Sequence, residues 1–272
     1  MPVVSLTTAA GAPGCTTTAL GLALTWASPT LLVEADPAGS AISAGYFRGT
    51  VDHSRGLLRL ALGRHDNLAE ALLTESHQLD GAADRRILLG LAEATQATAL
   101  EPWWEPIAAA VRELDNAGYV VVVDAGRLTQ RSCPTPLLEQ SDLVLVACRG
   151  TLASAVRTQP MAAELHAMLE RRGRADCIGL ATVGRRDYPP AEMARALGLP
   201  VLLQLPEDPR HAAVLSDGAS ERRFATSALA RALRDGSRTL HSLIEDRRDR
   251  VRGGLAARLG QPAEGVPTAV TP

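Results

Sequence analysis

Residues 9–17 read A-A-G-A-P-G-C-T-T, and the side chains here that could act on a phosphate are the hydroxyls of Thr16 and Thr17. A glycine-rich loop between a strand and a helix turns successive backbone N–H groups and a helix N-terminus toward an anion. In a phosphate loop the residue before the two threonines is a lysine that reaches the β- and γ-phosphates. Here that residue is Cys15, and the chain has no lysine: its 28 basic residues are all arginine. The candidate nucleotide-contacting residues are therefore Gly11, Gly14, Cys15, Thr16 and Thr17. The Thr16 hydroxyl stands where magnesium is bound, and Thr17 where a hydroxyl donates to the α-phosphate. The same residues also suit a plain strand-to-helix turn with a threonine as N-cap. A cysteine at a helix N-terminus should carry a lowered thiol pKa and be reactive, although a small packed side chain explains Cys15 as well.

Two carboxylate motifs follow. In L-L-V-E-A-D-P-A-G-S, Glu34 and Asp36 are two residues apart, hence on one side of a strand at its carboxyl end. In Y-V-V-V-V-D-A-G, Asp124 ends an apolar strand, as a carboxylate that holds magnesium or its water shell does. Thr16, Asp36 and Asp124 are thus the candidate magnesium ligands, and with the loop residues they complete the expected nucleotide site. Arg127, three residues past Asp124, and Arg149, just past another apolar run, are cations placed to replace the lysine; both also suit exposed loops.

These groups need a scaffold that delivers them to one edge. Short apolar runs at 3–8, 30–35, 119–124, 143–148, 177–182 and 200–205 read as buried strands. Helices are expected between them at 16–27, 102–117, 152–172, 190–197 and 221–241. Continuous apolar strands alternating with helices predict a doubly wound α/β fold, a mostly parallel sheet with helices on both faces and ligands at the strands' carboxyl ends. The stretch 49–100 is less regular, with short helices around Leu57, Leu68 and Ala71 and a strand at 87–91. Trp103 and Trp104 open a helix with one ring in the core and the other exposed.

Composition narrows the classes. Hydrophobic residues make up 46% and aromatic residues 3%, which gives an Ala, Leu and Val core, and the net charge of −2 exerts no global pull on nucleic acid or anionic lipid. Cys15, Cys133, Cys148 and Cys177 are far apart, and no histidine stands at ligand spacing, so neither a zinc site nor a disulfide framework is signalled. With no charged leader and no long apolar run, the chain is expected to be soluble and cytoplasmic.

The motifs A-G-A-P-G-C-T-T, V-E-A-D-P-A-G-S, V-V-V-V-D-A-G, S-D-L-V-L-V-A-C-R and L-G-L-P-V-L-L-Q-L-P-E-D-P resemble, in order, those of the ParA/MinD group of deviant phosphate-loop ATPases, over about residues 3–220. That resemblance implies a P-loop NTPase fold, a homodimer, and ATP or ADP with magnesium as cofactor. The group's loop reads K-G-G-x-G-K-T-T; its first lysine, which reaches the partner's nucleotide, falls on Ala10, and its second on Cys15. Its adenine-contacting Asn falls near Thr182 or Val183. Gly11, Gly14, Thr16, Thr17, Asp36 and Asp124 match, and Glu34 replaces the first acid of the second motif.

An intact scaffold with an eroded loop is most similar to the CpaE/TadZ-like subgroup. That implies a localisation or assembly factor for a pilus or secretion system, with weak or no ATP hydrolysis and a secretion or pilus ATPase as partner. Its place would be the cytoplasm, at the inner face of the membrane or the cell pole. The alternative is an active divergent ATPase that positions chromosome, plasmid or protein cargo, and a third reading is a small-molecule ligase or transferase. No concentrated basic stripe signals DNA. Residues 1–245 are read as one domain and 246–272 as an Arg-rich, then Pro/Gly-rich disordered tail. Val251, Leu255, Ala256 and Leu259 give that tail only a thin apolar face for peripheral membrane contact, interrupted by Gly253 and Gly254.

Overall fold

Runs such as V-V-V-V at 120–123 and L-V-L-V at 143–146 carry an apolar side chain at every position, so both faces of their sheet must be covered. The computed structural model describes residues 2–9, 14–81, 84–128 and 132–259. Among these, eight strands form one sheet: β1 (Val3–Thr8), β2 (Thr30–Glu34), β3 (His77–Gln78), β4 (Arg85–Leu88), β5 (Val120–Arg127), β6 (Leu143–Gly150), β7 (Ile178–Arg186) and β8 (Val201–Leu205). Their order is β3-β4-β2-β5-β1-β6-β7-β8, and every pairing is parallel except β3 with β4. The helices are α1 (Cys15–Thr25), α2 (Leu57–Leu62), α3 (Leu68–Thr74), α4 (Ala97–Leu100), α5 (Trp104–Asn116), α6 (Thr135–Gln140), α7 (Leu152–Arg171), α8 (Pro190–Leu197), α9 (Pro209–Ser216) and α10 (Ala228–Leu259). This is the doubly wound α/β architecture expected from the strand pattern.

Alternation along each strand divides the core into two layers. Val121, Val123, Val144 and Val146 pack against Ile107 and Val111 of α5 and Leu165 of α7. Val120, Val122, Leu143 and Leu145 face the other way, against Leu20 and Leu22 of α1 and Leu233 and Leu240 of α10. On that side Gly21 of α1 faces Leu233, whose Cδ1 would lie 2.6 Å from any Cβ added there. Trp104 is buried, with its Nε1 donating to the Ser132 carbonyl at 3.2 Å, while Trp103 is only partly buried.

Several boundaries differ from the sequence expectation, each for a local reason. The strand expected at 87–91 is β4, which stops at Leu88 because the next backbone groups are used elsewhere. The Leu89 carbonyl accepts the Leu57 amide, and the Gly90 amide donates to Glu34. The two-residue β3 is too short to carry a period. The helix α9 has Asp208 as N-cap, accepting the His211 amide, and Pro209 at its first position; both signals stand in P-E-D-P, outside any helix expected there. The helix expected at 221–241 begins at Ala228, where the Ser227 hydroxyl accepts the Ala230 amide.

The larger correction is at the other end of α10. It continues to Leu259, so residues 246–259, expected as part of a disordered tail, are helical, and the boundary at 245/246 falls inside one helix. Two ion-pair clusters hold the extension. Arg247 Nε meets Asp176 Oδ2 at 2.9 Å, and Arg248 Nη2 meets Asp142 Oδ2 at 2.7 Å. Residues 260–272 lie outside the described part of the chain. No described helix is long and apolar enough to cross a membrane.

Truncation after Asp246 should therefore lower stability by about 1–3 kcal/mol, the scale of a few charge-assisted hydrogen bonds discounted for partial exposure. Equilibrium urea unfolding of the two chain lengths reads this directly. An unchanged midpoint would mean that the segment contributes no more than a disordered tail would.

Candidate functional site

The helix α1 starts at Cys15 with Gly14 as N-cap, in a left-handed conformation at φ 90° and with no side-chain cap. Glycine is required there for two reasons: the positive φ, and the Val183 Cγ1 that would lie 3.2 Å from an added Cβ. The cap is not a threonine, so the plain-turn reading with a threonine as N-cap does not hold. Thr16 and Thr17 occupy the first turn after Cys15. Gly11, like Ala10, lies outside the described residues.

Cys15 is 7% exposed, and its Sγ donates to Asp124 Oδ1 at 3.4 Å. Asp124 is fully buried near the end of β5; its Oδ1 also accepts the Gly126 amide at 3.2 Å, and its Oδ2 has no hydrogen-bond partner among the described residues. Burial pushes the Asp124 carboxyl up to about 6, helped by the charges of Glu34 and Asp36, while the Thr16 hydroxyl and Gly126 amide pull the other way. The same surroundings overturn the expected reactive thiol. Burial, then the Asp124 carboxylate and then Asp36 hold the Cys15 thiol well above its ordinary range. A helix N-terminus favours an anion by only about 1 kcal/mol, less than desolvation beside two carboxylates opposes it.

Glu34 and Asp36 do not act as a pair. The strand β2 ends at Glu34, so strand alternation does not extend to Asp36. Glu34 turns into the following loop, and its four acceptor sites are taken: Oε2 by Ser40 Oγ at 2.5 Å and the Gly90 amide at 3.0 Å, Oε1 by the Ala41 and Ile42 amides at 2.9 and 3.1 Å. It is a loop anchor. Burial raises its carboxyl even against these four donors. Asp36 instead lies across Gly126, where any Cβ would come within 2.2–2.5 Å of its carboxylate atoms. Gly126 thus lets Asp36 approach Asp124. The Ala38 amide donates to Asp36 Oδ1 at 2.8 Å; burial raises this carboxyl, and the nearby Arg127 lowers it.

A cleft of about 200 Å3 opens beside the start of α1, lined by Gly14, Thr17, Thr18, Arg149, Val183 and Asp208 among others. Arg149 reaches this cleft, whereas Arg127 stands by Asp36, so the two arginines serve different parts of the site. Thr182 is buried in β7, its hydroxyl 3.5 Å from the Leu203 carbonyl, and Val183 is the neighbour that faces the cleft. Thr18 was not singled out by sequence; its Oγ1 is buried without a partner among the described residues, and the third consecutive threonine was the available signal.

Thr16, Asp36 and the unpartnered Asp124 Oδ2 are hard oxygen donors that fit a magnesium ion. The phosphate side fits less well. Position 15 presents a neutral thiol already committed to Asp124, so the charge that a lysine would place on a terminal phosphate is missing there.

No family model and no curated protein matches the chain. Solved structures do. The cell division ATPase MinD of Pyrococcus furiosus is similar over 89% of this chain and 99% of its own, at 18% identity and a TM-score of 0.69. The septum site-determining protein MinD of Pyrococcus horikoshii, complexed with Mg-ADP, matches over 89% and 96%, at 18% identity and a TM-score of 0.67. The MinC:MinD cell division complex of Aquifex aeolicus matches over 89% and 96%, at 15% identity and a TM-score of 0.67. At these identities the likeness is one of fold: the chain has the mostly parallel sheet and P-loop NTPase topology of the MinD/ParA fold, as in a solved ParA family ATPase from Chlorobium tepidum.

Two outcomes test this geometry. Ellman's reagent should find no fast-reacting thiol in the native chain near pH 7; a rapid single-thiol phase that disappears in Cys15→Ser would refute the buried, protonated Cys15. Because the folded-state Asp124 pKa lies above its unfolded value, its contribution to stability is complete below the unfolded value and is lost as pH rises to about 6. Asp124→Asn should therefore stabilise the chain by about 1–3 kcal/mol at pH 7.5, with the gain vanishing near pH 4, as read from urea midpoints without magnesium or nucleotide.

Proposed function

We propose that this chain is a degenerate MinD/ParA-like protein that acts as a localisation or assembly factor, with weak or no ATP hydrolysis. The observation that carries this reading is Cys15. It occupies the phosphate lysine's position, is buried and neutral, and gives its hydrogen bond to Oδ1 of Asp124, a candidate metal carboxylate. Removing one preorganised donor from a site of developing charge costs on the order of 100- to 1,000-fold in rate. Both lysine positions of the group's loop are replaced here, by Ala10 and Cys15.

On this reading the fold is kept for its surfaces. A protein partner accords with a structural neighbour solved as a MinC:MinD complex, and the homodimer rests on the resemblance to the ParA/MinD group. The pilus or secretion assignment, with a secretion or pilus ATPase as partner, rests on the resemblance of the eroded loop to CpaE/TadZ-like proteins. A site of action at the inner face of the membrane or the cell pole follows from the same resemblance.

One observation favours a second reading, an active divergent ATPase that positions cargo. Arg149 lines the cleft beside Thr17, where a guanidinium could meet a phosphate. Calorimetry with Mg-ATP and Mg-ADP, followed by turnover assays, separates the two. The scaffold reading expects weak or absent binding and no turnover above background. Turnover that is lost in Asp36→Ala and in Arg149→Gln would establish the ATPase instead. Cys15→Lys should restore affinity for Mg-ATP by tenfold or more if the missing charge is what weakens the site.

A further inference from the structure

The Arg-rich segment read from sequence as a solvated tail closes a second cavity, at the other end of the sheet. This cavity, of about 450 Å3, lies at the amino-terminal ends of β6 and β7, between α5, the turn after α7, and α10. Eight residues of β6 at about 3.3 Å each put it roughly 25 Å from the cleft beside α1. Among the described residues that line it are five arginines, Arg112, Arg174, Arg247, Arg248 and Arg252, against two aspartates, Asp142 and Asp176.

Both carboxylates are already engaged. Asp142 Oδ2 accepts from the Val3 amide at 2.9 Å, Arg112 Nη1 at 2.9 Å and Arg248 Nη2 at 2.7 Å. Asp176 Oδ2 accepts from Arg247 Nε, and Arg247 Nη1 donates to the Asp142 carbonyl, both at 2.9 Å. Arg252 is paired outside the cavity, with Asp249 at 3.2 Å. Arg174 differs from all of these. Its guanidinium donates to the Ser141 carbonyl, a neutral acceptor, and its Nε is buried without a hydrogen-bond partner among the described residues.

A guanidinium does not shed its proton at any ordinary pH, so a half-buried arginine without a carboxylate retains an uncompensated charge. The two aspartates of the cavity are committed to other donors: Arg247 and Arg248, only 13% and 16% exposed, hold Asp176 and Asp142. A charge held without a counter-ion is costly, and an anion in this space would offset that of the Arg174 guanidinium. The donors also arrive from three directions, Arg112 from α5, Arg174 from the turn before β7, and Arg248 and Arg252 from α10. A tetrahedral oxyanion offers acceptors in three directions, whereas a carboxylate offers one plane.

We propose that this cavity binds a phosphate-type oxyanion, with Arg174 as its principal contact and Arg112 and Arg252 as outer donors. The ligand is either a free phosphate or the phosphate of a lipid headgroup. It would sit against the extension of α10, whose Val251 is 66% exposed at the rim.

The test is calorimetric titration of the full chain with inorganic phosphate against chloride at matched ionic strength. A Thr16→Ala variant removes a candidate magnesium ligand at the start of α1, beside the other cleft. Binding should persist in Thr16→Ala, fall about tenfold in Arg174→Gln, and be largely retained in Arg174→Lys, which keeps the charge. No phosphate binding, binding unchanged in Arg174→Gln, or binding abolished by Thr16→Ala would each overturn the proposal. Sedimentation with phosphatidylcholine vesicles, with and without phosphatidic acid, identifies the source. Co-sedimentation that needs phosphatidic acid and Arg174 supports a headgroup; phosphate binding without co-sedimentation supports the free ion. Co-sedimentation equal in Arg174→Gln counts against the site.

Discussion

A parallel sheet buried on both faces leaves its chain almost no polar surface except at the strand ends. That constraint organises this molecule. The residues of β5 and β6 that fill the two core layers cannot carry chemistry, so charged groups collect at the strand ends. At the carboxyl ends these are Asp36, Asp124, Arg127 and Arg149; at the amino ends they are Asp142, Arg174 and Asp176. What distinguishes the two ends is how each balances its charge.

At the carboxyl ends the balance is negative. Glu34 and Asp36 stand close enough to raise Asp124, burial raises all three, and the residue at the first position of α1 brings no positive charge. Glu34 copes by accepting four hydrogen bonds from its own loop. Asp124 has only Oδ1 engaged and copes by holding its proton more tightly than an ordinary carboxyl. The Cys15 thiol is compatible with such a neighbour because it remains neutral. A cysteine rather than a lysine at this position thus goes together with a raised carboxyl beside it.

Much of this was legible in the residues. The six apolar runs became strands because continuous Val and Leu admits few alternatives, and Asp124 stood out because it ends such a run. Other features depended on tertiary contacts that no local pattern encodes. Strand alternation was sound for placing Glu34 but not Asp36, since β2 ends between them. The fate of the Cys15 thiol turned on burial rather than on its position in the helix. Residues 246–259 look polar and solvated in one dimension, yet Asp142 and Asp176, some 70 to 105 residues away, give Arg247 and Arg248 a reason to be ordered. The helix α9 was missed although Asp208 and Pro209 mark its start, because eight residues carry too short an apolar repeat to stand out.

The length of α10 has a mechanical meaning. Leu229 and Leu233 line the cleft beside α1, while Ile244, Arg247 and Arg248 line the arginine cavity. From Leu233 to Arg248 the helix covers about 22 Å without interruption. It is a strut, fixed near one end by apolar packing against Gly21 and near the other by ion pairs. Helical hydrogen bonding runs through Gly236 between them, so the cleft and the arginine cavity share one continuous element.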